Sequence, residues 1–154
     1  MQIILKRMEI NMNKERVLFE IIQDFFMCMV ITLTVTLLNN GNVLSFQFVF
    51  DFLLAYVINL VVGFLLPEMV IAKWLTKKIK DGKVVKEKLL IPSIIAIINV
   101  TIILSGVLLF KIGIHPPYIN VWISLYPTLI IVGIVAACIF FGVTGRIVKM
   151  FMIK

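Results

Sequence analysis

The stretch that decides the fold is residues 89–110, which read LLIPSIIAIINVTIILSGVLLF and contain no charged side chain. At about 1.5 Å per residue, a helix of this length crosses the roughly 30 Å hydrocarbon core of a bilayer. The run lacks the alternation of polar and apolar residues that is typical of transmembrane barrel strands. We therefore interpret it as a transmembrane helix.

Three further apolar runs accompany it, at about residues 21–38, 48–72 and 121–144. The first has no small-x-small cleavage pattern, so it should stay attached as a span and not be removed as a signal peptide. The chain is 62% hydrophobic and 15% charged, whereas soluble domains are roughly half apolar and a quarter charged. The sequence predicts an all-α membrane protein with four transmembrane helices and no room for a soluble domain of ordinary size.

Lysines and arginines predict the orientation, because cytoplasmic loops retain them. Of the 15, four lie in residues 1–20, seven in residues 73–88 and three in residues 146–154. The remaining one, Lys111, falls between the third and fourth spans. We expect a multi-pass protein of the cell membrane with both termini and the central loop in the cytoplasm.

The central loop is also where we expect contact with the bilayer surface. Anionic headgroups on the cytoplasmic side attract basic residues that follow a span, and four lysines meet that condition: Lys73, Lys77, Lys78 and Lys80. A net charge of +7 could suggest nucleic-acid binding in a soluble protein. Here no folded domain presents the charge, so we predict no nucleic-acid partner.

The two halves of the chain match each other as a tandem repeat. Residues 14–18 (KERVL) correspond to residues 86–90 (KEKLL) at a shift of 72, and Gly41 corresponds to Gly113 at the same shift. Tyr56 and Gly63 match Tyr126 and Gly133 at a shift of 70.

This repeat predicts four segments. They are a basic N-terminal arm over residues 1–13, a two-helix repeat over 14–80, a linker over 81–85 and a second two-helix repeat over 86–154. Because each half starts and ends on the same side, the two hairpins should be parallel and related by an axis along the membrane normal.

The first repeat combines its basic start with the run FMCMVITLTVTLLNNG over residues 26–41 and a helix ending in Leu65-Leu66-Pro67. It resembles a group of small bacterial membrane proteins known as a domain of unknown function, in which a two-helix unit occurs singly or in tandem. The resemblance covers residues 14–80 well and residues 86–153 poorly, since Ala137 stands where the first half has Pro67. It implies the hairpin fold and brings no activity with it.

Sequence motifs for an enzyme are not found in the chain. There is no phosphate-binding loop, zinc-protease motif or nucleophile elbow, and Cys28 and Cys138 lack the spacing of a disulfide framework or metal site. The single histidine, His115, has no evident partner. We predict no catalytic residue, no metal and no cofactor.

Acidic residues within the first hairpin are the most informative feature for function. Ionisable groups in spans are costly and usually face a bundle interior or water. Asp24 and Glu68 lie roughly 5 and 6 Å inside the ends of two antiparallel spans, so they should approach each other as a candidate proton or cation site. The alternative is that both are boundary residues reaching toward headgroups or toward Lys73 and Arg16.

Further polar residues predict contacts between helices. Amides and hydroxyls at membrane depth hydrogen-bond across helices, which we expect for Thr32, Tyr56, Asn59 and Asn99. Glu20 lies one turn from Arg16, with which it could form an ion pair. Asp51 either pairs with Lys111 and ties the two halves together, or begins its helix in solvent.

Two functions follow from these features. The sequence favours a non-enzymatic protein that acts by association in the membrane, as a homo-oligomer or as an accessory subunit of another membrane protein. The alternative is a small proton- or cation-coupled transporter that uses Asp24 and Glu68.

Overall fold

The computed structural model describes residues 2–65, 68–77, 85–113 and 117–152. A π-helical turn at Lys86–Leu90 precedes the fourth α-helix. The α-helices within the described residues are α1 (Gln2–Leu38), α2 (Phe46–Leu65), α3 (Glu68–Thr76), α4 (Ile91–Ile112) and α5 (Pro117–Met152).

The prediction of four spanning helices is confirmed for α1, α2, α4 and α5, each of which is long and apolar enough to cross a bilayer. No strand occurs in the described part of the chain. The qualifying stretches are Lys14–Leu38, Phe46–Gly63, Lys88–Ile112 and Pro117–Phe151. The first and last helices therefore extend beyond the predicted bounds at residues 21 and 144.

The predicted second span over residues 48–72 is described in two parts. Helix α2 covers Phe46–Leu65 and helix α3 covers Glu68–Thr76. Residues 66 and 67, which include Pro67, lie outside the described residues. Glu68 is the first residue of α3.

Helices α1 and α4 both end in turn residues at the same end of the bundle. Asn40 has φ 51°, and the Gly41 N–H donates to the Thr36 carbonyl at 2.8 Å. Gly113 has φ 70°, and its N–H donates to the Leu109 carbonyl at 3.0 Å. Glycine and asparagine are the residues that adopt this left-handed backbone most readily. We call this end of the molecule the loop end, and the opposite end, which carries most lysines and arginines, the basic end.

The four long helices form an up-down-up-down bundle. Helix α1 packs against α2 and α5, and α4 packs against the same two helices from the other side. Helix α3 packs against α4 at the basic end, where Ala72 contacts Ile91 and Ile95. Antiparallel neighbours of this kind follow from short connections between the helices.

Polar and apolar residues are distributed as in a membrane protein. The outward faces are apolar: Val57 and Val61 on α2 are each 56% exposed, and Ile131 on α5 is 66% exposed. A soluble monomer rarely shows apolar surface on this scale. Several polar side chains are instead buried between the helices, namely Gln23, Asp24, Thr32, Asn59, Glu68, Thr76, Asn99 and Thr144. The chain is therefore a multi-pass membrane protein.

Two glycines allow close approach of neighbouring helices. A Cβ atom on Gly106 of α4 would lie 2.7 Å from Ile58 Cγ2, and one on Gly133 of α5 would lie 2.6 Å from Val100 Cγ2. Both separations are well below the roughly 3.5–4.0 Å at which carbon atoms attract each other. Small residues at helix contacts serve this purpose in membranes, so these glycines set the spacing of the bundle.

Candidate functional site

Asp24 and Glu68 come together inside the bundle at the basic end. Asp24 on α1 is 4% exposed, and Glu68 at the start of α3 is 6% exposed. Both line one cavity of about 10 Å³, close to the space that one water molecule occupies. Both side chains point into the bundle. The boundary interpretation required them to point outward, toward the headgroups. The remaining lining residues are Phe19, Glu20, Gln23 and Ile95.

Helical spacing explains why Asp24 faces inward. Residues four positions apart share one face of a helix, and Asp24, Cys28 and Thr32 are all buried. On the facing helix α2, Gly63 lies beside the carboxyl, since a Cβ there would be in contact with Asp24 Oδ2 at 3.4 Å. The Asp24 side chain therefore packs against α2 at Gly63.

Of the three carboxyl groups around this cavity, Glu20 has a basic partner, and Asp24 and Glu68 have none among the described residues. Glu20 accepts a hydrogen bond from Arg16 Nε at 2.9 Å, so the predicted ion pair forms. Within the described residues, neither Asp24 nor Glu68 has a lysine or arginine nitrogen within 4.0 Å. A buried carboxylate without such a partner is costly to hold as a free anion. The pair is therefore a site suited to a proton or a cation.

Two buried amides lie beside the carboxyl pair. Gln23 accepts a hydrogen bond from Thr144 Oγ1 of α5 at 3.0 Å through its Oε1 atom. Asn99 of α4 lies next to Glu68, without completing a hydrogen bond of ordinary geometry. Gln23 Nε2 and Glu68 Oε1 likewise have no partner in the described chain. An amide can donate or accept, so these groups can serve a carboxyl in either protonation state.

The other predicted interhelical contacts form only in part. Tyr56 of α2 donates to the Ile21 carbonyl of α1 at 3.3 Å. Thr32, Asn59 and Asn99 are buried, and none of these three side chains has a hydrogen bond to another helix among the described residues. Thr32 instead lines a cavity at the loop end. No described residue offers the Asn59 amide a partner.

The structure describes two of the four lysines that we predicted to contact headgroups. Lys73 and Lys77 are exposed at the basic end, as contact with headgroups requires. Lys78 and Lys80 lie outside the described residues, as does His115. No cluster of three or more histidine, cysteine or acidic side chains that could hold a metal occurs among the described residues.

An ion pair joins the two halves at the loop end. Lys111 Nζ donates to Asp51 Oδ2 at 2.5 Å, and Gln47 Nε2 donates to Asp51 Oδ1 at 2.8 Å. Of the two interpretations of Asp51, the paired one matches the structure. The contact ties α2 of the first half to α4 of the second.

No protein-family model, curated protein or solved structure matches this chain. The resemblance to two-helix membrane proteins remains a prediction. The function is therefore inferred from the geometry of the polar groups inside the bundle.

Four hydrogen bonds between helices were missed from the sequence. One joins Thr144 to Gln23. The other three join α4 to α5: Trp122 donates to the Ser105 hydroxyl at 3.1 Å, Tyr118 donates to the Ser105 carbonyl at 3.2 Å, and the Thr101 and Tyr126 hydroxyls are 3.0 Å apart. The available signal was a polar residue inside an apolar run. That signal marks such residues but does not say which helix supplies the partner.

Proposed function

We propose that this protein is a small proton- or cation-coupled membrane transporter whose coupling site is the pair Asp24 and Glu68. The observation that carries the proposal is that both carboxyl groups are buried in the bundle and have no basic partner among the described residues. Spans that keep such costly groups usually use them for ions or protons. The buried carboxyl pair therefore favours a transporter over a protein that acts by association alone.

Competition for one small site is the proposed basis of coupling. Two neighbouring carboxyl groups resist ionising together, because like charges repel in a medium of low dielectric. One bound proton relieves that repulsion, and a bound cation relieves it in the same way. Release of the proton would then favour binding of the cation at the same oxygens, and the Gln23 and Asn99 amides would adjust their hydrogen bonds to either state.

We further propose that the site opens to the cytoplasm and that both termini lie there, in the cell membrane. All lysines and arginines except Lys111 belong to the basic end by sequence, and basic residues are retained on the cytoplasmic side. In this orientation exposed residues such as Lys73 and Lys77 meet anionic headgroups.

We also propose that the halves are tandem copies related by rotation about the membrane normal. Gly63 faces Asp24 on α1, and Gly133 faces Val100 on α4. Each glycine thus turns toward the first helix of its own half, which supports the repeat. Since the second half has Ala96 at the position matching Asp24, only the first half would handle charge.

Association in the membrane is the second candidate function. Its supporting observation is that Gly142 and Gly145 on α5 have no neighbouring atom within 4 Å of an added Cβ. Such positions let a helix from another protein approach closely. A homo-oligomer or an accessory subunit would use this surface without needing the carboxyl pair.

Proton movement in reconstituted vesicles tests the proposal. The purified protein is placed in vesicles that contain a pH-sensitive dye, and sodium, potassium and a panel of small organic compounds are added outside in turn. We expect at least one addition to move protons, and we expect Asp24→Asn and Glu68→Gln each to abolish the movement. Glu15→Gln is the matched control, because Glu15 is exposed on the same helix as Asp24 and should keep full activity.

Either of two results would contradict the transporter. One is that no addition moves protons across the whole panel, and the other is that both variants transport as well as the unmodified protein. In the first case, crosslinking of the Gly142 surface to a second membrane protein would support the association function.

A further inference from the structure

A second and much larger cavity lies at the loop end of the bundle. Its volume is about 510 Å³, and all four spanning helices line it. Small-molecule sites in proteins typically measure about 300–1,000 Å³. Ile31, Ala55 and Ile103, at its inner end, are only 1–2% exposed, while Asp51 and Lys111 lie at its mouth. The cavity therefore reaches from the loop end into the middle of the bundle.

The walls of this loop-end cavity are mainly aliphatic. Val35, Val107 and Leu125 are among the side chains that α1, α4 and α5 contribute. The two amides of the lining, Asn39 and Asn120, lie toward the mouth, and the hydroxyls of Thr32, Thr36 and Ser124 lie deeper along the walls. A cavity with apolar walls and a few polar groups at one end fits a ligand with an apolar body and a polar head.

The charge of the cavity restricts that head to one without net charge. Among the described residues, Asp51 and Lys111 are the only charged ones that line it, and they neutralise each other in an ion pair. By sequence, no other lysine, arginine or acidic residue occurs in residues 25–67 or 89–145. A charged head at the mouth would find no unpaired counter-charge among the described residues, because Asp51 and Lys111 already pair with each other, and partial removal of such a head from water is costly.

An apolar layer separates this cavity from the carboxyl pair. Met27, Cys28, Val100 and Leu129 are fully buried between the two polar regions, and all four belong to the main apolar core. A ligand in the loop-end cavity therefore does not reach Asp24 in this conformation. A carrier that is open at one end and closed toward its coupling site has this arrangement.

We propose that the loop-end cavity binds a small amphiphile that has an apolar body, a head that forms hydrogen bonds and no net charge. That this amphiphile is the transported substrate rests on the proposed function. Binding itself does not depend on proton coupling, so the two can be tested apart.

Photolabelling in lipid nanodiscs tests the site. The probe is octanol carrying a diazirine, which is uncharged, and labelled positions are mapped by mass spectrometry. We expect labels on Val35, Val107 and Leu125, and loss of these labels when unlabelled octanol is added in excess. An octyl trimethylammonium competitor of equal chain length should not remove them.

Cavity-filling variants provide the structural control. Ser124→Trp places a large side chain at an exposed position that lines the cavity, and Thr36→Trp places one at a half-buried lining position on α1. Both should lose the wall labels. Val135→Trp on the outward face of α5, where Val135 is 56% exposed, should keep them.

Three results would overturn the inference. Labels only on outward-facing residues such as Val57 and Ile131 would mean that the probe sits in the bilayer. Labels displaced by the ammonium competitor would mean that the site prefers a cation, and labels obtained only with a photoreactive phospholipid would mean that a lipid chain fills it.

The variant Asp24→Asn separates this site from the coupling site. If the proposed function is right, this variant abolishes proton movement, and it should still retain the wall labels.

Discussion

A single methyl group added at Gly133 tests the packing between the carboxyl pair and the loop-end cavity. The new Cβ in Gly133→Ala would lie 2.6 Å from Val100 Cγ2 and 3.7 Å from Met27 Cε. Favourable carbon contacts occur at about 3.5–4.0 Å, so Val100 must move by about 1 Å. Val100 is fully buried, and its branched side chain has one strongly preferred rotamer in a helix. It cannot move without displacing its neighbours.

The expected magnitude combines two opposing effects. Overpacking a filled core costs about 1–3 kcal/mol, and replacing glycine by alanine within a helix returns about 0.5–1 kcal/mol. We expect Gly133→Ala to lower the free energy of unfolding by about 1 kcal/mol, the middle of these ranges, and by at most about 2.5 kcal/mol. The matched control is Gly142→Ala in the same helix, where no atom lies within 4 Å of the new Cβ. That change should raise stability by up to about 1 kcal/mol.

Unfolding in mixed micelles measures both variants. The purified proteins are titrated with sodium dodecyl sulfate, and the loss of native structure is followed by the fluorescence of Trp74 and Trp122 and by circular dichroism. The two substitutions should shift the midpoint in opposite directions. Equal midpoints for Gly133→Ala and Gly142→Ala would refute the packing of α5 against α4 described above.

Three further predictions address contacts and topology. A double-mutant cycle of Asp51→Asn and Lys111→Met should give a coupling of about 0.5–1 kcal/mol that declines with salt, since the two side chains are 17% and 36% exposed; zero coupling at low salt would contradict the pair. Thr144→Val should cost about 1–3 kcal/mol, because it leaves a buried amide oxygen without its donor, whereas Thr144→Ser should cost far less, and equal losses would refute the bond. A cysteine at Ser45 should react with an impermeant maleimide in intact cells and one at Gly82 only after permeabilisation, and the reverse pattern would invert the orientation.

The helical fold could be predicted because lipid leaves few alternatives. Every backbone group in the hydrocarbon must be satisfied internally, so a long uncharged run such as residues 89–110 forms a helix. Bounds outside the hydrocarbon were harder to predict, since no such constraint acts there. Helices α1 and α5 accordingly extend beyond their predicted spans.

The carboxyl pair could be anticipated because depth along a helix is simple to count at about 1.5 Å per residue. Asp24 and Glu68 belong to consecutive antiparallel segments, so similar depth placed them together. The bond from Thr144 to Gln23 spans 121 positions in sequence and depends on α5 packing against α1, which periodicity does not specify. The loop-end cavity depends on side chains from four helices at once, and no local pattern encodes that.

The most direct test of the central claim is whether Asp24 and Glu68 bind an exchangeable proton inside the membrane. Infrared difference spectra of the protein in bilayers, recorded as the pH is changed, report the carbonyl stretch of a protonated carboxyl group. A coupling site predicts a band that appears and disappears reversibly with pH, is lost or shifted in Asp24→Asn and in Glu68→Gln, and is unchanged in Glu15→Gln. A spectrum without such a band, or a band that survives both substitutions, would contradict the account.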